Sequence, residues 1–364
     1  MFTYAENYEF SKEQLFHKVD ELKSKGYEVI TSKLLVIDDL YIDKIIIRHG
    51  IAKKRLIINI GLHGIEGYVG HACLMTFFNE ILILLDDSVE VIIYHPFNPY
   101  GMKHYRRTNE NNVDLNRNFT TNQFSSENIG YEKAKAFFTP KKYANKLTAN
   151  LHFYTSLVRL ILKFGTKALK EATLLGQKVL PEGIYYSSAT YQTSTKHILQ
   201  EIEQNLEHVD EVLWFDLHTG YGPRYQMSVV NSKYEKESTK EIIDNIRYPL
   251  VLGLNADDFY EIDGDMIEMI YRINEQKENP VHLYATCFEF GTLGDSLFNT
   301  ISSLKAMIFE NAAYFQTQKD SFHQYANRLI KEQFMPSESK WKEKAYSDFK
   351  QALIGIITYK QFIK

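Results

Sequence analysis

Leu56-Ile57-Ile58-Asn59-Ile60-Gly61-Leu62-His63-Gly64-Ile65-Glu66-Gly67 is the stretch on which the reading of this chain turns. Its first five residues are a brief, mostly β-branched run closed by a glycine, the pattern of a buried strand. From Glu66 an apolar segment runs to Leu85, long enough for a helix. His63 and Glu66 therefore fall on the turn between a strand's carboxyl end and a helix's first residues, where open α/β sheets hold their ligands. An imidazole and a carboxylate so close on one tight turn can point at a single cation. The flanking glycines leave room for a ligand to approach the backbone. Such a pair also arises by chance, so the rest of the chain must supply further ligands.

Composition narrows the classes. A chain of 364 residues can bury a sizeable core, hiding roughly 75% of its unfolded surface. Hydrophobic content of 44% and charged content of 24% are those of an ordinary globular protein. A net charge of −4 and the absence of an arginine-rich tract argue against a nucleic-acid partner. With only Cys73 and Cys287, neither a disulfide framework nor a thiolate zinc cluster is available, and both cysteines read as small buried hydrophobes. Residues Met1–Asn7 lack the basic and apolar regions of a secretory signal. Ile81–Leu85 is too short to span a bilayer, and Leu151–Leu169 is interrupted by Arg159, Lys163 and Lys167. The expectation is a cytoplasmic protein with no membrane partner.

Outward from the opening stretch, the spacing predicts one helix at Lys12–Lys25, ended by Gly26, and an antiparallel hairpin of Tyr27–Ile37 with Leu40–His49. Val89–Tyr94 is the next buried strand, and strand–helix–strand in this order implies a parallel pair with a right-handed crossover. Lys103–Phe124 is polar and irregular, too long for a casual loop and so a functional candidate. Glu127–Val179 reads as two or three helices, with Leu151, Tyr154, Val158, Ile161, Leu162, Leu169 and Ala172 at helical spacing. Ten Lys or Arg and three Glu fall between Glu127 and Lys178, either a basic wall beside an anionic substrate or a solvated helix face. Gly183–Thr195 is a loop or flap and Ser194–His208 an amphipathic helix. Glu211–Leu217, Gln226–Asn231 and His282–Phe290 are strands, Lys236–Arg247 is a helix, and Leu252–Pro280 has no clear period. From Ser296 onward the chain reads as helices. The expected organisation is a single α/β domain over residues 1–364, with a helical insertion and flap at 127–195.

Three strand ends then carry matching chemistry: His63 with Glu66, His218 in Asp216-Leu217-His218-Thr219-Gly220, and Glu289 in Phe288-Glu289-Phe290-Gly291-Thr292. Two histidines and a carboxylate, plus a water, make an open tetrahedral zinc site. A second carboxylate must then take the water's proton and pass it to the leaving amine. Glu289 suits that task, because an acid within an apolar strand is expensive without local cause. The bland alternatives are a core histidine and a salt-bridged strand glutamate. The polar stretch supplies Arg106-Arg107-Thr108-Asn109 and Val113-Asp114-Leu115-Asn116-Arg117-Asn118-Phe119. Arginines there could stabilise a developing oxyanion or grip a carboxylate bidentately, or simply brace the loop.

The ordered set HGIEG, NPYG, RRTN, VDLNRNF, DLHTG and FEFGT, from Leu56 to Gly294, resembles the zinc metallocarboxypeptidase family. More narrowly, it resembles an uncharacterised bacterial branch of that family, with aspartoacylase and succinylglutamate desuccinylase as cousins. The resemblance implies a mixed, mostly parallel eight-stranded sheet with helices on both faces. It implies one Zn2+ held by His63, Glu66 and His218, with Glu289 as general base and acid. It further implies Arg107 as the group polarising the scissile carbonyl (Arg106 if the register differs), and Asn116 and Arg117 as the grip on a terminal carboxylate. No tyrosine is carried over, since neither Tyr260 nor Tyr271 sits in a matching motif.

Other signatures are absent: no His-Glu-x-x-His, no Gly-x-Ser-x-Gly, no phosphate loop, and Gly220-x-Gly222 runs into Pro223. Three functions stay open. One is a zinc carboxypeptidase acting on a peptide with a free carboxylate. Another is an amidohydrolase acting on N-acyl amino acids. The third is a non-catalytic binding protein that keeps the fold.

Overall fold

In the computed structural model, which describes residues 2–120, 128–253, 264–316 and 321–364, eight strands form one mixed sheet. In chain order they are β1 (Glu28–Ile37), β2 (Leu40–Arg48), β3 (Lys54–Ile60), β4 (Val89–His95), β5 (Glu211–Thr219), β6 (Met227–Asn231), β7 (Val251–Gly253) and β8 (His282–Phe290). Their spatial order is β1-β2-β4-β3-β5-β8-β6-β7. The expected hairpin is β1 with β2, antiparallel. β3 lies parallel to both β4 and β5, and β5 parallel to β8. From β3 the chain steps to one side to make β4, and from β5 it crosses to the other to make β6 and β7, with β8 returning between β5 and β6. The order thus reverses between β3 and β5, the topological switch point where α/β sheets open a crevice.

Four of the seven β3 residues, Leu56, Ile57, Ile58 and Ile60, are apolar and buried because both faces of the strand are covered. Leu56, Ile58 and Ile60 join a core with α1 (Tyr8–Ser24), α2 (Gly67–Thr76) and the C-terminal helix, while Ile57 joins a core on the opposite face. After α2 the helices are α3 (Pro99–Lys103), α4 (Ile129–Phe138), α5 (Lys146–Leu174), α6 (Thr193–Asn205), α7 (Thr239–Ile246), α8 (Met266–Glu275), α9 (Leu297–Phe315), α10 (Ser321–Phe334) and α11 (Ser339–Tyr359). α7 and α11 share the face of α1 and α2, whereas α6 and α8 cover the other. α4, α5, α9 and α10 build a third apolar cluster that reaches the rest through Ile65, within the opening turn.

Several elements depart from the sequence reading. α1 starts at Tyr8 rather than Lys12, because the Asn7 side chain accepts from the Phe10 backbone N–H and caps it there. The helix expected from Glu66 to Leu85 is a tight turn at Gly64–Glu66, then α2, then a widened turn at Phe77–Ile81 and a tight one at Leu82–Leu84. Gly64–Leu84 has the length and hydropathy of a membrane span, but 72% of its most apolar window is buried inside the protein. α8 lies in the stretch where no period was legible. Within α5, Ala149, Phe153, Leu157, Leu160 and Ala172 are buried, while Leu151, Tyr154, Val158 and Leu162, also at helical spacing, are exposed. Residues 121–124, the end of the polar stretch, lie outside the described residues, as does Tyr260.

Candidate metal centre

Adjacent central strands deliver the key side chains. β3 ends at Ile60, level with Leu217 of β5, and one step further His218 and Glu289 are register partners on β5 and β8. Gly61, at φ +64°, turns the chain out of the sheet. The turn then lies flat on α3, where a Cβ on Gly64 would stand 2.2 Å from the Gly101 carbonyl carbon. Gly64 N–H donates to Arg107 O (3.2 Å) and Ile65 N–H to Arg106 O (2.8 Å), which ties the polar stretch to the turn.

His63, Glu66 and His218 are buried, and each brings a ligand atom within 4.8 Å of the other two. His63 Nδ1 lies 2.9 Å from Glu66 Oε1, His218 Nδ1 lies 3.0 Å from Glu66 Oε2, and the two Nδ1 atoms are 3.1 Å apart. Glu66 Oε2 also accepts from Thr219 N–H at 2.8 Å. The far ring nitrogens are both held by carboxylates: His63 Nε2 by Asp114 Oδ1 at 3.0 Å and His218 Nε2 by Asp216 Oδ2 at 2.7 Å. Asp216 Oδ1 in turn accepts from Asn59 Nδ2 at 2.5 Å, and Asn59 Oδ1 from Trp214 Nε1 at 2.7 Å. A carboxylate on Nε2 holds the proton there, so both Nδ1 lone pairs face inward. Two lone pairs 3.1 Å apart repel unless a proton or a cation lies between them.

The electrostatics agree. Burial raises the Glu66 carboxyl, but the His63 and His218 imidazoles override it and hold it below its ordinary value. Burial acts against a charged His218, yet Asp216 and Glu66 keep its pKa well above the ordinary histidine value. Asp114 is buried as well, and Arg107, His63 and Arg117 hold it well below the usual carboxylate range. Glu289 behaves oppositely. Burial, then the Glu66 charge, pushes its carboxyl up to about 8, against weaker opposition from His218, the Tyr221 N–H and Arg107. That N–H donates to Glu289 Oε1 at 3.0 Å.

The two neighbouring arginines separate cleanly. Arg107 enters the centre, its Nε on Asp114 Oδ2 (3.1 Å) and its Nη1 on Glu66 Oε1 (3.3 Å). Arg106 points the other way, to Glu310 Oε1 (2.7 Å) and Asn112 Oδ1 (2.8 Å), with its guanidinium 3.4 Å from the Tyr314 ring centroid. The two neighbouring side chains thus lead to opposite sides of the chain. Arg117 is buried with Nη1 on Asn116 O at 3.2 Å, and its Nε has no partner among the described residues. The Asn116 amide group binds Asp265 Oδ2 (3.0 Å) and its carbonyl the Met266 N–H (3.0 Å), so it braces the turn against the start of α8.

Asp114 and Asp216 went unread as site residues, although both stand inside the motifs quoted for their neighbours; their contact with imidazole nitrogens is legible only in three dimensions. Tyr185 lies in the stretch Gly183–Thr195, which the sequence marks only as a loop or flap. It comes from the loop after α5, has φ +60°, and its hydroxyl lies in the field of Arg107, Arg117 and Asp114. Tyr271 lies elsewhere, bonded to Glu235 and to the backbone of Ala285.

Residues 4–348 match the model of a family described as "Protein of unknown function (DUF2817)". The chain belongs to this family. No curated protein matches the DUF2817 chain. Among solved structures, bovine thrombin-activatable fibrinolysis inhibitor, in complex with tick carboxypeptidase inhibitor, is similar at a TM-score of 0.51 and 12% identity, over 85% of this chain and 96% of that one. The metallo-carboxypeptidase of Pseudomonas aeruginosa aligns at 0.42 and 10% identity, over 93% of this chain and 69% of that one. The succinylglutamate desuccinylase of Chromobacterium violaceum aligns at 0.39 and 10%, over 80% and 72%. The DUF2817 chain thus has the carboxypeptidase-like fold expected from its motifs.

Proposed function

We propose that this DUF2817 protein is a metal-dependent hydrolase that cleaves the amide bond next to a free carboxylate, as at the C-terminus of a short peptide. The carrying observation is the convergence of two inward Nδ1 lone pairs and one carboxylate, with Glu289 beside them in register. The donor set fits a divalent ion: two nitrogens and one carboxylate oxygen is the ligand set of catalytic zinc. His63, Glu66 and His218 would hold Zn2+, and Asp114 and Asp216 would orient the imidazoles. Such an ion, when bound, supplies Lewis acidity, polarising a carbonyl and lowering the pKa of water to about 7.

The protein's own groups do the rest. Glu289 takes a proton from the attacking water and returns it to the leaving amine. The Arg107 guanidinium, fixed in plane by Asp114 and Glu66, faces the carbonyl oxygen as charge develops there. Arg117 receives the substrate's carboxylate. Burial depresses its pKa, and a buried cationic donor without a partner is costly, so an anionic ligand relieves it. Asn116 holds the Arg117 turn in position. Substrates are short because the loop after α5 closes on the polar stretch, with Asn112 Nδ2 on Pro181 O and Gly183 O and Asp114 N–H on Tyr186 O.

The test is a metal assay coupled to a substrate panel of dipeptides, N-acyl amino acids and their C-terminal amides. The reading expects one equivalent of zinc, loss of turnover on chelation, and turnover confined to substrates with a free carboxylate. Turnover of N-acyl amino acids alone would transfer the reading to a deacylase. Protein that binds no metal, or whose hydrolysis ignores Glu289→Gln, would mean a binding protein instead.

A further inference from the structure

α5 carries two apolar faces, and among the described residues only one is packed into the core. Ala149, Phe153, Leu157 and Leu160 enter the cluster shared with α9 and α10. Leu147 (74% exposed), Leu151 (70%), Tyr154 (41%), Val158 (54%) and Leu162 (82%) form a second row. They follow one another at three- and four-residue steps, so they line a single stripe about 22 Å long. α9 runs antiparallel alongside: Gln316 bonds the Tyr143 backbone, Phe309 packs on Phe153, and Lys305 Nζ lies 3.1 Å from Tyr154 Oη. Its N-terminal end, with Leu297 and Phe298 at 76% and 72% exposure, is thereby directed toward the Val158–Leu162 end of the stripe. Contiguous exposed apolar surface of this kind marks a docking face.

The charge around it is one-sided. Between Glu132 and Glu171 the chain has nine Lys or Arg and no acid, in a protein whose net charge is −4. Lys142, Lys146, Arg159, Lys163 and Lys167 are exposed, and Lys305 borders the stripe at Tyr154. In these stretches of chain the flanking acids are Glu132, Glu171 and Asp295. A second copy of this helix would bring like charges together with no acid on α5 before Glu171 to pair them. A bilayer with anionic headgroups offers apolar depth and opposite charge together, and a basic amphipathic helix is what such a surface holds.

We infer that the exposed face of α5, continued by Leu297 and Phe298, is a docking surface for an anionic lipid bilayer. This is attachment at the interface, not a span. α9, whose first residues continue this face, begins just beyond β8, the strand of Glu289. The inference stands on surface residues and is independent of whether the centre hydrolyses anything.

Cosedimentation of the full chain with vesicles tests it, using phosphatidylcholine alone and phosphatidylcholine containing one quarter phosphatidylglycerol. The chain should bind the anionic vesicles, weakly or not at all the neutral ones, and less as salt is raised. Arg159→Gln with Lys163→Gln should weaken binding roughly 30-fold. Leu151→Ser with Leu162→Ser should weaken it by about tenfold or more. All four positions are exposed, and an unchanged melting temperature verifies that each variant folds. Equal binding to both vesicle types, or binding that neither pair of substitutions alters, overturns the proposal. So does a concentration-dependent dimer that Leu151→Ser with Leu162→Ser dissociates while vesicles capture nothing, since the stripe would then cover a second copy.

Discussion

Asp216→Asn replaces one carboxylate oxygen with an amide nitrogen and should cost the centre most of its metal affinity. Asp216 is buried, with one oxygen on Asn59 Nδ2 at 2.5 Å and the other on His218 Nε2 at 2.7 Å. Asn59 is itself oriented by Trp214 Nε1, so it presents its amide donor to position 216 and selects the carbonyl end of the substituted side chain. The amide end of that side chain then faces His218 Nε2, which must accept. The imidazole proton moves to Nδ1, the atom that points at His63 and Glu66. That proton occupies the position a cation needs. Loss of such a supporting carboxylate lowers metal affinity about 10–100-fold, or about 1.4–2.7 kcal/mol. Competition for zinc against a chromophoric chelator measures the change, and melting of the metal-free proteins separates it from misfolding. Affinity within a factor of two of wild type, in a variant that melts normally, would refute both the tautomer argument and the assignment of Nδ1 as the ligand atom.

Glu289→Gln should keep the metal and lose turnover by about 10²–10⁴-fold, read from single-substrate kinetics on protein of measured zinc content. In metal-free protein the folded Glu289 holds its proton to about 8 against an ordinary 4.5. The native state therefore binds the extra proton between those values, and its stability falls as pH rises through them; melts of wild type and Glu289→Gln should diverge over that range. Arg117→Ala should weaken use of carboxylate-bearing substrates roughly 10–100-fold, chiefly through KM, with no comparable effect on a C-terminal amide. Arg106→Ala should lower stability by about 3–5 kcal/mol, because Glu310 loses its buried partner; denaturant melts check it, with metal affinity of the folded protein unchanged.

The sheet and the buried group of His63, Glu66 and His218 were legible because each is written locally: an apolar run, a glycine, then a histidine or glutamate at the strand end. What supports them was not. Asp216 is two residues from His218, but its role depends on β3, since Asn59 and Trp214 complete the chain of bonds across neighbouring strands. Where Arg106 and Arg107 point was illegible for the same reason, being set by how their segment packs between α9 and the turn. Helical spacing announced α5 correctly but could not say which of its two apolar rows turns inward, and the core chose Phe153 and Leu157 over Leu151 and Val158. α8 stayed hidden although Asp265 caps it by accepting from Glu268 N–H.

The Arg106–Arg107 pair has a mechanical consequence. One guanidinium is clamped to α9 by Glu310 and Tyr314, the other to the candidate metal centre by Asp114 and Glu66. A single peptide unit thus joins the helical layer to that centre like a short crank. A tilt of α9, whatever its source, would reach the Asp114 and Glu66 carboxylates without any loop having to open.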